Sequence, residues 1–204
     1  ESLAKLEALG AVSLDKTWGA MQLEPRGLIA RKPILTPADL KGVPLRIWES
    51  KVAIATWKGL GAEPTVIPRG ETYLAFSQGL ADAGPETIGV AYEQKSVEVL
   101  KFWTRSDEYF QILNIFINTD KFKQLTPEQQ DILAKAAEAI TPIYRDVTSA
   151  GYSQKRERAR EEFGVTVIEP DPKAWREVAP AIIDSLVASG EVSKDVVDYI
   201  RSMK

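Results

Sequence analysis

From Thr126 to Phe163 the sequence keeps a helical pattern almost without interruption, opened by Thr126-Pro-Glu-Gln and closed by Gly164. A threonine cap, a proline at the first helical position and a glutamine three residues after the cap make a sound helix start. At 1.5 Å per residue, about 37 residues would extend on the order of 55 Å. That exceeds what one lobe of a 204-residue chain can cover. Either the helix kinks near Pro142 or it runs along two lobes as a shared spine.

The rest of the chain alternates strands with shorter helices. Leu3, Leu6 and Leu9 lie at helical spacing before Gly10, which ends the first helix. Strands are predicted over residues 11–13, 27–30, 44–48, 64–67, 101–105, 109–118 and 165–168, with an extended piece at 81–83. Thr36 caps a short helix that begins at Pro37. Further helices are predicted over 50–60, with Val52, Ala55 and Leu60 on its apolar side, and over 71–80, 172–186 and 193–203. Such alternation predicts βαβ units, a parallel sheet covered on both faces and an α/β fold.

Composition removes many functions. With neither cysteine nor histidine, the chain has no thiol chemistry, disulfide, His-ligated metal or His-based acid and base catalysis. No metal site, catalytic residue or cofactor is predicted. A net charge of -3 with interspersed signs gives no footprint for nucleic acid. No apolar run approaches the roughly 20 residues that cross a bilayer. Glu1-Ser-Leu-Ala-Lys runs directly into a helical pattern, so any leader is expected to be absent from this chain.

Arg46 stands between Leu45 and Ile47 in an apolar strand. Alternation puts Arg46 and Trp48 on the face opposite Leu45 and Ile47. A guanidinium beside an indole suits a carboxylate on an apolar body, held by a two-pronged ionic contact next to a stacking surface. The other reading is that Arg46 pairs with a structural acid and Trp48 belongs to the core. Arg26 and Arg69 also lie at strand ends, where open α/β sheets bind ligands, and Gly70 leaves room for close approach. Glu86, after Gly84-Pro85, either pairs with Arg69, receives a polar group of a ligand, or caps the helix beginning near Thr87. Asp107-Glu108 and the basic run over residues 155–160 read as solvated faces.

These residues sit in blocks that resemble the extracytoplasmic solute receptors of tripartite ATP-independent periplasmic (TRAP) transporters, in the C4-dicarboxylate and sialic acid receptor class. The blocks are KPILTPADLKGVPLRIWES, LGAEPTVIP, ETYLAFSQGLADA, EQKSVEVLKF and the INTDKFKQLTPEQQ segment that leads to Ala136-Ala137-Glu138. The resemblance implies an α/β receptor of two lobes with mixed sheets flanked by helices, crossing strands and a long spine helix, closing around an organic acid. The family's carboxylate-clamping arginine falls on Arg46 and a second cleft arginine on Arg26. Arg69 stands where relatives often carry an aromatic residue, and Glu86 where many have asparagine.

On the family's chain path, residues 24–111 and 152–204 make the second lobe, and 1–23 and 112–151 belong to the first. The family's opening βαβαβ stretch has no counterpart here, so a missing N-terminal fragment or a swapped copy is expected to complete the first lobe. The resulting expectation is a periplasmic receptor, not an enzyme, delivering a small carboxylate to the membrane subunits of a TRAP transporter. Arg46 holds the carboxylate, Arg26 and Arg69 add positive potential, Trp48 lines the apolar end and Glu86 discriminates polar substituents. The alternative is a ligand-sensing module coupled to a signalling partner. An enzyme built on an acid or a Ser/Lys site is disfavoured, because no nucleophile lies in a recognisable elbow.

Overall fold

The computed structural model describes residues 2–14, 21–22, 24–109 and 112–203. In chain order the elements are α1 (Ser2–Ala8), β1 (Ala11–Ser13), β2 (Met21–Gln22), β3 (Gly27–Ala30), a 3-10 turn (Pro37–Leu40), β4 (Pro44–Ile47), α2 (Lys51–Gly59) and β5 (Glu63–Val66). A second 3-10 turn (Arg69–Glu71) leads into α3 (Thr72–Ser77), β6 (Ala83–Pro85), α4 (Ile88–Glu93), α5 (Ser96–Val99) and β7 (Phe102–Arg105). Then follow β8 (Ile112–Leu113), β9 (Phe116–Asn118), α6 (Thr119–Lys123), α7 (Pro127–Phe163), β10 (Thr166–Ile168), α8 (Pro172–Ala188) and α9 (Lys194–Ser202). Residues 1–25 and 109–154 form one compact unit, and residues 26–108 and 155–204 a second.

In the first unit β1 pairs with β9 and β2 with β8, both antiparallel. The strand predicted over 109–118 is two short strands in the described residues; 110 and 111 lie outside them. At the start of α7, the Gln129 amide N–H donates to the Thr126 hydroxyl at 3.3 Å and the Thr126 N–H donates to the Gln129 side chain at 2.9 Å. This reciprocal box satisfies donors that a helix start leaves unpaired. The helix ends at Gly164, at a φ of 67° that a side chain would resist. It runs 37 residues with Pro142 inside it.

The second unit is built on a six-stranded sheet of order β10-β7-β3-β6-β4-β5. It is mixed, as the resemblance implied, rather than wholly parallel, as the alternation of strands and helices alone suggested. β4, β5 and β6 run parallel, and β7 runs parallel to β10, but β3 is antiparallel to both β6 and β7. Apolar content and period are the same for either strand direction, which is why the parallel expectation fails at β3.

Leu28, Ala30, Leu45, Ile47 and Ala83 share one buried face with Trp57 of α2, and Trp175, Val178 and Ile182 of α8 pack against them. Trp57 is 1% exposed, so its truncation to alanine would cost about 3–5 kcal/mol. The buried side of α2 is set by Ala53, Ile54, Trp57 and Leu60. Val52, expected inside, is 39% exposed. On the opposite face of the sheet, Phe76 of α3 abuts Gly84 so closely that a Cβ there would stand 2.7 Å from its ring.

Candidate site at one edge of the mixed sheet

Strand direction gathers the charged residues. β4, β5 and β6 end at the same edge of the sheet, and the reversed β3 begins there, with β7 ending beside it. Arg46 near the end of β4, Arg69 after β5, Glu86 after β6, Arg26 before β3 and Glu108 after β7 therefore share one edge. This is the carboxyl edge of the parallel strands, the usual ligand side of open α/β sheets.

Arg46 is 6% exposed. Its Nε donates to the Ile67 carbonyl at 3.0 Å, which fixes the guanidinium plane. Among the described residues, no hydrogen bond or ion pair reaches its two terminal nitrogens. Burial holds its pKa below the ordinary arginine value, and Arg69 adds to this while Glu86 opposes it. The group stays a cation with its paired N–H donors unspent.

Glu86 is 2% exposed. Its backbone is pinned: its N–H donates to the Gly27 carbonyl at 2.8 Å, and the Trp103 indole N–H donates to its carbonyl at 2.9 Å. Gly27 makes that second contact possible, because a Cβ there would lie 2.2 Å from the Trp103 ring. The carboxyl has no such anchor. Oε2 is buried without a hydrogen-bond partner, as is the neighbouring Ser96 hydroxyl of α5. Burial pushes the Glu86 carboxyl up to about 7, against the opposing pull of Ser96, Arg46, Arg26 and Arg69 in that order. Ser96 thus lies near enough to stabilise the charge, yet the two groups do not meet in hydrogen-bond geometry. Of the roles open to Glu86, helix capping falls away: Thr87 caps α4, its side chain accepting from the Val90 N–H at 3.2 Å.

Arg26 is 7% exposed and occupied differently. Its Nε lies 3.2 Å from Glu108 Oε1, with both side chains under a tenth exposed, and Nη2 donates to the Pro85 carbonyl at 3.5 Å. The guanidinium carbon sits 5.4 Å from the centroid of the Trp48 ring, a cation–π contact. Burial raises the Glu108 carboxyl's pKa, while Arg26 and the Ser106 hydroxyl lower it.

Two sequence expectations change here. Glu108 belongs to a buried ion pair rather than a solvated face, because the antiparallel β3–β7 register sets Gly27 opposite Arg105. Trp48 follows the last strand residue, so alternation no longer governs it. It packs in part against the Leu45 and Ile47 cluster and takes Arg26, not Arg46, over its ring.

Arg69 is exposed. With the Gln94 amide turned so that its oxygen faces the guanidinium, that oxygen accepts from Arg69 Nη2 at 3.0 Å and from Nε. No ion pair joins Arg69 to Glu86 directly, although their charges act on each other. A Cβ at Gly70 would meet nothing within 4 Å, so the space expected there is open. Gln94 and Glu108 are the members that sequence reasoning missed. Together the edge offers an unspent guanidinium fork, two further cations and one unanchored carboxyl, a set suited to binding an anion. Among the described residues no cluster of acids suited to a metal ion is present, and no helix is long and apolar enough to cross a membrane.

Comparison with known proteins gives a consistent likeness. The family model of the bacterial extracellular solute-binding proteins, family 7, matches residues 3–189. The 2,3-diketo-L-gulonate-binding periplasmic protein YiaO of Escherichia coli is 35% identical over 147 residues, which cover 72% of this chain and 44% of that protein. The C4-dicarboxylate-binding periplasmic protein DctP of Rhodobacter capsulatus is 27% identical over 188 residues, 90% of this chain and 55% of that one. The chain thus spans about half the length of these relatives. A TRAP periplasmic solute-binding protein from Ochrobacterium anthropi with bound L-fuconate superposes with a TM-score of 0.83 at 26% identity, covering 98% of this chain and 64% of that one. A Sulfitobacter protein of the same description, with bound β-D-galacturonate, shares the fold with a TM-score of 0.86 at 23% identity, covering 98% and 65%.

Proposed function

Because the chain belongs to the bacterial extracellular solute-binding proteins of family 7, we propose that it works as a periplasmic receptor that captures a small organic acid and delivers it to the membrane subunits of a TRAP-type transporter. One observation supports this above the others: Arg46 is buried, fixed through Nε, and holds two terminal nitrogens without a partner among the described residues. A buried cation of this kind gains most from a carboxylate that accepts from both prongs. Arg26 and Arg69 raise the local positive potential, Trp48 supplies apolar surface beside Arg26, and Glu86 contacts the part of the ligand away from its carboxylate. Residues 24–111 and 152–204 form the receptor's second lobe in this reading, and 1–23 and 112–151 belong to its first. A complementary fragment or a swapped copy would complete that first lobe.

Titration calorimetry on the full-length protein with L-galactonate, D-galacturonate and succinate tests the proposal. At least one of these acids binds, and Arg46→Ala weakens it about 30-fold or more, the loss expected when a desolvated charge loses its partner. Arg46→Lys keeps the charge without the fork and falls between. Unchanged affinity in Arg46→Ala would remove Arg46 from the site.

A further inference from the structure

We propose that Glu86 makes this site selective for a monoanionic polyhydroxy acid over a dicarboxylate, its carboxylate accepting a hydroxyl of the ligand and repelling a second ligand charge. The inference rests on Arg46 as the carboxylate anchor and adds what the opposite end of the ligand must be.

The first support is charge balance among the groups that act on Glu86 and the carboxylate paired with one of them. Three guanidinium groups, Arg26, Arg46 and Arg69, surround Glu86 electrostatically, and Glu108 is paired with Arg26. Two carboxylates against three cations leave one positive charge to be neutralised. A ligand with a single carboxylate closes that balance, whereas a second carboxylate would face Glu86 across a poorly solvated site. Like charges brought together in that way carry a large penalty.

The second support is acceptor capacity. Glu86 is pinned by its backbone on both sides, yet Oε2 is buried without a hydrogen-bond partner among the described residues. A buried carboxylate with unfilled acceptor positions is costly until donors arrive. The described neighbours offer few: Ser96 on α5 does not reach it, Arg46 spends Nε on Ile67, Arg26 is held by Glu108 and Pro85, and Arg69 by Gln94. Hydroxyls donate without bringing charge. Asparagine at this position would accept a hydroxyl equally but would not repel a carboxylate, so the glutamate confers the exclusion.

The test uses three six-carbon probes on the full-length protein at pH 8: an aldonate with one carboxylate, the matching aldarate with two, and hexanoate with one carboxylate and no hydroxyl. The wild type binds the aldonate about 30-fold or more tighter than the aldarate, and about tenfold or more tighter than hexanoate. Glu86→Gln, nearly isosteric and uncharged, brings aldonate and aldarate within about threefold of each other, whereas Glu86→Asp keeps the preference. Equal affinity for aldonate and aldarate in the wild type, an unchanged preference in Glu86→Gln, or no binding of any probe would overturn the proposal. Arg46→Ala separates the two layers. If it abolishes aldonate binding while Glu86→Gln leaves the preference intact, only the role of Glu86 fails; if it leaves aldonate binding unchanged, the anchor itself fails.

Discussion

At the scale of single residues, burial decides which charges can act. Glu86 and Arg46 are both buried without a direct ion pair to each other, so each keeps capacity that a surface pair would have spent on water. For Glu86 this has a measurable pH signature. Its pKa rises from 4.5 to about 7 in the folded protein, so the native state binds the proton more tightly than the unfolded chain. The stabilising contribution is full below about 4.5 and is lost as pH rises through about 7. Between pH 5 and pH 8 the wild type should therefore lose roughly 2–3 kcal/mol of stability relative to Glu86→Gln. Glu108 shifts in the same direction and is present in both proteins, so it cancels. Urea denaturation at the two pH values reads the difference, and parallel profiles for the two proteins would contradict the buried ionisable Glu86.

Arg46 was legible in the sequence because a guanidinium in an apolar strand violates the local pattern. Glu108 was not, since Asp107-Glu108 reads as an ordinary polar turn until the β3–β7 register is known. Gln94 carries no sequence signal at all: a glutamine at a helix end has many equivalent roles.

Elements hold these residues in register. β6 lies between β3 and β4, so the pinning of Glu86 depends on Gly27 and Trp103 as much as on its own strand. Gly27→Ala would force a Cβ to within 2.2 Å of the indole, an overpacking that costs about 1–3 kcal/mol, and would displace the donor to the Glu86 carbonyl. Gly70→Ala meets open space and should change stability by less than about 0.5 kcal/mol. Thermal denaturation of the two variants checks this; equal effects would mean that the Trp103 contact is not as close as described.

Most elements follow from local chemistry. The Thr126 box and the glycine that ends α7 were readable as caps; at the short helix after Thr36 the structure adds the Asp39 carboxylate, which accepts from the Leu35 and Thr36 N–H groups at 2.9 and 2.8 Å. The reversal of β3 was not, because direction leaves no trace in a four-residue buried run. The α2 stripe was misplaced for a related reason: Trp57 dominates the packing, and its volume rotates the buried side away from Val52.

For the whole molecule, the family assignment rests on likeness over residues 3–189, and the proposed anchor rests on the geometry of the sheet edge. The chain's overall charge is -3, yet Arg26, Arg46 and Arg69 outnumber the two carboxylates, Glu86 and Glu108, set among them. The proposed anion capture therefore depends on local arrangement and not on a basic molecule. The two compact units divide the helix α7 between them near residue 154. The most direct measurement is a crystal structure of the full-length protein with an aldonate bound. The account predicts the ligand carboxylate within about 2.7–2.9 Å of both terminal nitrogens of Arg46 and a ligand hydroxyl on Glu86. A carboxylate bound elsewhere, with Arg46 paired to Glu86, would contradict it.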